Sequence, residues 1–221
     1  AQVESVSDDA QVRHVHGNAT VKSVSGNSKV GDVSGNSKVG DVSGNAKVMG
    51  VYDYAKIGSV SGNAKIRHVR DESTIMFVRG SVEIESVSDD AQVESVSDDA
   101  QVRHVHGNAK VMGVYDYAKI GSVYGYAMVS LYDYSRVKRQ LGVHAIAFVH
   151  SPDARVSGAH VIDMTWTESH DPEMWAAHTT ADVLDGEVVL WKALGPDLTS
   201  GEEFGRPVKW EVGQEVSCDD W

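Results

Sequence analysis

The chain has 221 residues and carries 20 Lys+Arg against 32 Asp+Glu, a formal net charge of −12. That balance argues against a general nucleic-acid or anionic-membrane binder, which needs clustered Lys and Arg. No run of about 18 apolar residues reads as a membrane-spanning helix, no leader peptide is visible, and the single Cys218 rules out an internal disulfide framework or a Cys-rich zinc site and fits a reducing compartment.

From Ala1 the sequence reads in nines: AQVESVSDD, AQVRHVHGN, ATVKSVSGN, and so on through fourteen full copies. An eight-residue copy, AMVSLYDY, ends the array at Tyr134. The template is A-x-V-x-x-V-x-G-N. Position three is Val or Ile in every copy, from Val3 to Val129, and position six is Val from Val6 to Val123. Position one is Ala or Ser except at Val82. The polar positions drift while these three hold, which marks them as the buried side of a repeating unit. Val and Ile suit a pleated, half-buried strand because their χ1 is already restricted. Gly-Asn or Asp-Asp at positions eight and nine is turn chemistry, since these residues tolerate positive φ or bond nearby backbone.

The apolar spacing forms no stripe of period 3.6, and each copy carries a Gly or Asp, so a helical repeat fails. The expected fold is all-β: a parallel β-solenoid, a β-helix or β-roll of 9-residue repeats. One such unit cannot bury a core alone, so the stack must supply it. Two nonads per coil is the favoured arrangement, with three as the alternative. At two, the array makes about 7.5 coils and a rod of roughly 36 Å. The Asp8–Asp9 doublet recurs only at Asp89–Asp90 and Asp98–Asp99, so a calcium roll with acidic ligands in fixed register is not favoured. Thr20 and Thr74 are the only threonines of the repeat, too few for an ice-binding array. Residues 1–18 equal residues 91–108, and 46–60 equal 109–123. A catalytic constellation is usually unique in its chain, so duplication points to scaffold or multivalent surface.

His14 with His16, and His104 with His106, share a strand face. Ten nonads separate the pairs, about five coils or roughly 24 Å, so they cannot form one metal site. All eight tyrosines lie in the repeat, and six fall in its last three copies: Tyr115, Tyr117, Tyr124, Tyr126, Tyr132 and Tyr134. Stacking should gather these six into one aromatic patch near the C-terminal end of the rod. The favoured role is to cover that end against the following segment, a general need of such stacks. The alternative is an interaction patch for a glycan, a peptide or a second subunit.

Register is lost after Tyr134. Arg136, Lys138 and Arg139 form a small basic cluster that reads as a solvated turn. Residues 135–163 read as the last, irregular coils. Residues 164–185 read as a linker with a short helix over Pro172–Ala181, started by Asp171 and Pro172. His170, Glu173, His178 and Asp182 lie there, at a spacing that matches no strong zinc motif. Residues 186–221 read as a small β-rich, Trp-containing segment, with strands over 187–194, 208–212 and 215–217. All five tryptophans lie beyond residue 164. Charge divides the same way. Residues 1–134 hold 13 basic and 17 acidic residues, a net of −4, and residues 135–221 hold 7 and 15, a net of −8.

The stretch Ala19-Thr20-Val21-Lys22-Ser23-Val24-Ser25-Gly26-Asn27 resembles the nonapeptide arrays of proteins in actinobacteria and their bacteriophages. Segment 188–216, with Leu190-Trp191-Lys192-Ala193-Leu194 and Trp210-Glu211-Val212-Gly213, is similar to the start of a small domain of unknown function found beside such repeats. The resemblance implies a phage-encoded protein that is cytoplasmic or virion-associated, and it transfers no activity. No nucleophile–base pair or metal motif stands out, so the expectation is a non-enzymatic structural or interaction solenoid without a cofactor. A glycan- or receptor-binding tail-fibre module using the tyrosine patch is the alternative. An acidic DNA-mimic inhibitor has less support, because the rod is close to neutral. The repeat also opens in full register at Ala1 with no cap. That predicts a longer natural chain, or an end covered by a protein partner or a second copy.

Overall fold

The computed structural model describes residues 1–168 and, beyond them, Met174, Ala176, Ala177, 182–184, 187–189, 199–200 and 208–209. The chain divides into two units, Ala1–Glu168 and Ser169–Trp221.

The first unit is a parallel β-solenoid with two nonads per coil. Strand β1 spans Gln2–Val6, and each later strand to β14 (Lys119–Val123) starts nine residues after the one before. The short copy supplies β15, Met128–Leu131. Pairing joins residues 18 apart, as in Val3 with Val21 and Val6 with Val24. Odd strands therefore stack in one sheet and even strands in another. Three further strands join the two sheets, β16 (Arg136–Val137), β17 (Ile146–Val149) and β18 (Val161–Asp163). The final strand order is β1-β3-β5-β7-β9-β11-β13-β15-β17-β18 in a ten-stranded sheet and β2 through β16, evens only, in an eight-stranded one. Ten strands at about 4.8 Å each make a rod of about 43 Å, longer than the regular repeat alone supplies.

The core is built of three columns. Positions one, three and six of the nonad are all buried from the fourth copy onward, as at Ala55, Ile57 and Val60. Val82, the one bulky residue at position one, is also fully buried. Positions four and five both face outward, so each strand breaks the period of two once, and this lets positions three and six share the interior. Burial needs a neighbour on each side: Val3 in the first coil is 42% exposed, and its equivalent Val21 is 2% exposed.

Position eight has positive φ in all fifteen copies, Gly in eight of them and Asp in seven, from Asp8 (φ 58°) to Asp133 (φ 48°). The Asn at position nine does not share it. The backbone ladder runs on through the turns, with Ser25 N–H donating to the Val6 carbonyl at 2.8 Å and Asn27 N–H to the Asp8 carbonyl at 2.7 Å. The position-eight N–H stands outside that ladder. In five turns where the next coil has Asp, its carboxylate accepts this N–H, as when Gly35 donates to Asp53 (2.9 Å), Asp53 to Asp71 (3.1 Å) and Gly80 to Asp98 (2.8 Å); the Asp89 carboxylate instead accepts the Ser88 hydroxyl at 3.1 Å. Asp thus offsets its unfavourable backbone conformation with a hydrogen bond that Ala cannot make. At position nine, Asn45 donates to Asn27 (3.2 Å) and Asn27 to Asp9 (3.4 Å), a second ladder between coils.

The second unit contains two antiparallel pairs: β19 (Asp182–Leu184) with β20 (Glu187–Val189), and β21 (Thr199–Ser200) with β22 (Val208–Lys209). The strand β19 lies in the stretch read from sequence as linker with a short helix; the Asp-Gly pair that follows it in the sequence is a hairpin signal which that expectation left out. A 3-10 helix at Thr165–Glu168 opens the same stretch, and Met174, Ala176 and Ala177 are helical. The expected strand over 215–217 and the residues His170, Glu173 and His178 lie outside the described residues.

Two stability outcomes follow from these turns and columns. Gly44, at φ +67°, has the Gly26 carbonyl oxygen 3.0 Å from where a Cβ would sit. Gly44→Ala should lower the thermal midpoint, with a strain cost of about 1–3 kcal/mol. Gly44→Asp should cost less, because its carboxylate can accept the Gly26 N–H. A melt in which Ala matches Asp would refute the capping role. The Ser28 hydroxyl at position one is buried with no hydrogen-bond partner. Ser28→Ala should raise stability by up to about 1 kcal/mol, whereas Ser73→Ala should not, since Ser73 Oγ donates to the Arg70 carbonyl at 2.6 Å.

Candidate functional site

Two nonads per coil send consecutive turns to opposite edges of the rod. The six C-terminal tyrosines therefore form two groups and not the single patch expected. On one edge Tyr115 stacks on Tyr132 (centroids 4.7 Å apart, 16° between planes), and Tyr132 stacks in turn on His150 (4.4 Å, 9°). Beside that column Tyr117 stacks on Tyr134 (5.3 Å, 11°). On the other edge Tyr124 stacks on His106 (4.9 Å, 8°) and Tyr126 on His144 (5.1 Å, 16°). His104 meets Tyr124 edge-on at 6.5 Å. The sequence reading missed the histidines as partners. The signal was present as an offset of 18 residues, from His106 to Tyr124 and from Tyr126 to His144.

Glycine seats the inner rings. A Cβ on Gly113 would lie 2.4 Å from the Tyr115 ring, and one on Gly50 would overlap the Tyr52 ring. In both copies of the run Met-Gly-Val-Tyr-Asp-Tyr the glycine clears the space that the first tyrosine folds into. Tyr117 and Tyr126 point outward and are 60% and 65% exposed.

The duplicated histidines have different neighbours. His14 Nδ1 lies 3.3 Å from Asp32, whereas His104 Nδ1 lies 2.9 Å from the Ser122 hydroxyl. His106 Nε2 lies 3.3 Å from the Ser86 hydroxyl and carries Tyr124 on its face. Burial holds His106 below the usual imidazole range; Asp89 pulls the other way, and His104 and Arg70 add to the lowering. His68 is likewise held low, by burial first and Arg70 second. The pairs His14/His16 and His104/His106 lie five strand steps apart in the eight-stranded sheet, as β2 and β12. Among the described residues no group of three or more His, Cys, Asp or Glu is placed to hold a metal ion.

Charge is sorted between edges and faces. Seven aspartates occupy position eight in the turns, and five carboxylates accept backbone N–H groups there. The strands of the eight-stranded sheet carry eight Lys or Arg against Asp32, Glu83 and Glu85. Glu83 meets both Lys65 (3.1 Å) and Arg103 (3.5 Å), and the hydrogen bond from Lys65 holds its carboxyl below the ordinary range. Arg67 meets Glu85 at 3.5 Å. The cluster Arg136, Lys138 and Arg139 belongs to this face and is not an isolated turn. A sequence count could not find the sorting, because alternate nonads face opposite ways.

No protein-family model matches the chain, and no curated protein or solved structure matches it either.

Because the fold disfavours protonated His106, its proton should leave below the model-peptide value of about 6.5. The stability it contributes is present above that pH and falls as pH drops through the window beneath it. An NMR titration should show the low midpoint in the intact chain. Tyr124→Ala uncovers the ring and should return the midpoint toward 6.5; an unchanged midpoint would remove burial by Tyr124 as the cause.

Proposed function

We propose that this chain is a non-enzymatic structural and interaction protein, phage-encoded and cytoplasmic or virion-associated, whose solenoid displays side chains on a fixed grid. One observation carries the reading. The interior columns and turn conformations repeat from coil to coil, while the outward positions vary and even identical duplicated segments acquire different neighbours. Such a frame stabilises itself coil by coil and leaves the outer positions free for contacts. Among the described residues β1 and β2 are the end strands of their sheets. They are where a further coil, a second copy or another protein would add main-chain hydrogen bonds.

The second reading is a glycan- or receptor-binding module of the tail-fibre kind. The exposed rings of Tyr117 and Tyr126 favour it, since aromatic side chains supply large contact area at low entropic cost. A DNA-mimic inhibitor has least support, because acids would have to line a face, and the acids here concentrate in the turns.

A pull-down with the full chain, repeated with Tyr124→Ala/Tyr126→Ala, separates the first two. Capture of the same partners by both proteins supports the scaffold reading. Selective loss of a partner or of a glycan-array signal, with the far-edge Tyr117 and Tyr134 intact, supports the tyrosine module and displaces the scaffold as the main role.

A further inference from the structure

The eight-stranded sheet ends in a column of like charges. Register places Lys119 opposite Arg136 and Arg136 opposite Arg155, one coil apart each. Neighbouring coils are about 4.8 Å apart, and like charges directly opposite across strands are destabilising. Further down the sheet Lys29, Lys47 and Lys65 form a like column that ends on Glu83, which pairs with Lys65; at the C-terminal end no glutamate follows in register. Lys119 reaches Asp99 at 3.7 Å. Arg136, Lys138, Arg139 and Arg155 make no ion pair among the described residues. Lys138 Nζ instead donates to Gln101 Oε1 at 3.3 Å, and Arg155 donates to the Pro152 carbonyl at 2.7 Å.

The column is also grooved. A cleft of about 380 Å³ runs between Lys119, Arg136 and Arg155 on one wall and the stacked Tyr117 and Tyr134 on the other, with Asp99 and Asp153 completing it. A second cleft shares Lys119 and lies over Gly121, whose missing side chain leaves a trough between Arg103 and Lys138. A third shares Arg136, Lys138 and Arg155. Cations, aromatic rings and open volume thus coincide over the last coils of one face.

We propose that this groove binds an extended acidic polysaccharide, one carboxylate per sugar, lying along the rod axis. The cation spacing follows the coil spacing and is of the order of one sugar residue in an extended chain. Arginine pairs with carboxylates in bidentate geometry, which Arg136 and Arg155 can offer from adjacent coils. The tyrosine column gives the apolar face of a sugar ring an aromatic wall. A nucleic acid fits less well. Duplex phosphates recur about every 3.4 Å along a strand, out of step with the coils, and the 5.3 Å between Tyr117 and Tyr134 is too narrow to admit a base. This proposal deepens the glycan-binding reading but places the ligand on a face and edge away from Tyr124 and Tyr126.

The test is calorimetric titration of the full chain with polygalacturonate, with neutral dextran and oligothymidylate in parallel. Lys119→Gln/Arg136→Gln removes two cations from the groove. Lys38→Gln/Lys56→Gln removes two from the ten-stranded sheet, an equal change of net charge on the other face. Binding to polygalacturonate that falls about tenfold or more in the first variant and hardly in the second supports the groove. No binding, equal loss in both variants, or equal or tighter binding of dextran or oligothymidylate would each overturn it. Failure of the proposal leaves the scaffold reading standing, since that reading is decided by the partners captured and not by this ligand.

Discussion

Every side chain in the regular part of the rod sits one coil from the residue 18 positions away, not beside its neighbour in the chain. This parallel stacking at about 4.8 Å is the constraint on which the rest depends. It makes the core a set of columns of similar side chains, Val or Ile at positions three and six and Ala or Ser, with Val82, at position one. It carries the hydrogen-bond ladder unbroken through the turns. It also leaves one donor per turn over, the position-eight N–H, and five of the aspartates at that position in the following coil accept it. The drift of that position between only two residue types thus has a physical cause. Both tolerate the left-handed conformation, one by lacking a side chain and the other by using its side chain on the coil before.

The same stacking makes a residue's environment a property of its column. Residues 1–18 and 91–108 are identical in sequence, yet His14 faces Asp32 while His104 faces Ser122 and Tyr124. Duplication copies the frame and leaves the chemistry to the coils above and below. It explains how aromatic and imidazole rings come to stack in files, with every file built from residues 17 or 18 apart. It explains, too, how a rod close to neutral overall can have one face rich in Lys and Arg. Most acids of the rod sit in the turns, five of them capping backbone, and even-numbered strands carry eight Lys or Arg against four on odd-numbered strands.

Much of this was legible in the residues. The fixed Val and Ile at positions three and six marked the interior, and the small position one marked where the chain turns in. Glycine and Asx at positions eight and nine marked the turn, although the positive φ belongs to position eight alone. The irregular stretch 135–163 was read as further coils from the runs Ala145–Val149, Ala154–Val156 and Ala159–Val161; Ala145, Ala147 and Ala154 are buried, whereas Ala159 and Val161 are exposed. The tyrosines were the harder case. Their clustering in the last copies was plain, but whether six rings make one patch or two depends on the parity of the copy that each belongs to. The histidines stacked on them were less visible still, since His144 and His150 lie beyond the regular array, where counting in nines gives no register.

The sequence by itself therefore determined the repeating unit, its buried positions, its strand-and-turn content and the need for a stack to complete the core, because period and side-chain size are local properties of each nonad. Which residues meet depends on how the coils close. That two nonads close one coil is a statement about how the chain returns on itself. From it alone come the two separate edges of tyrosine, the pairing of identical histidines with different partners, and the like-charged run from Lys119 through Arg136 to Arg155. Contacts made across a coil are long-range in the chain, and nothing within a single nine-residue copy encodes them.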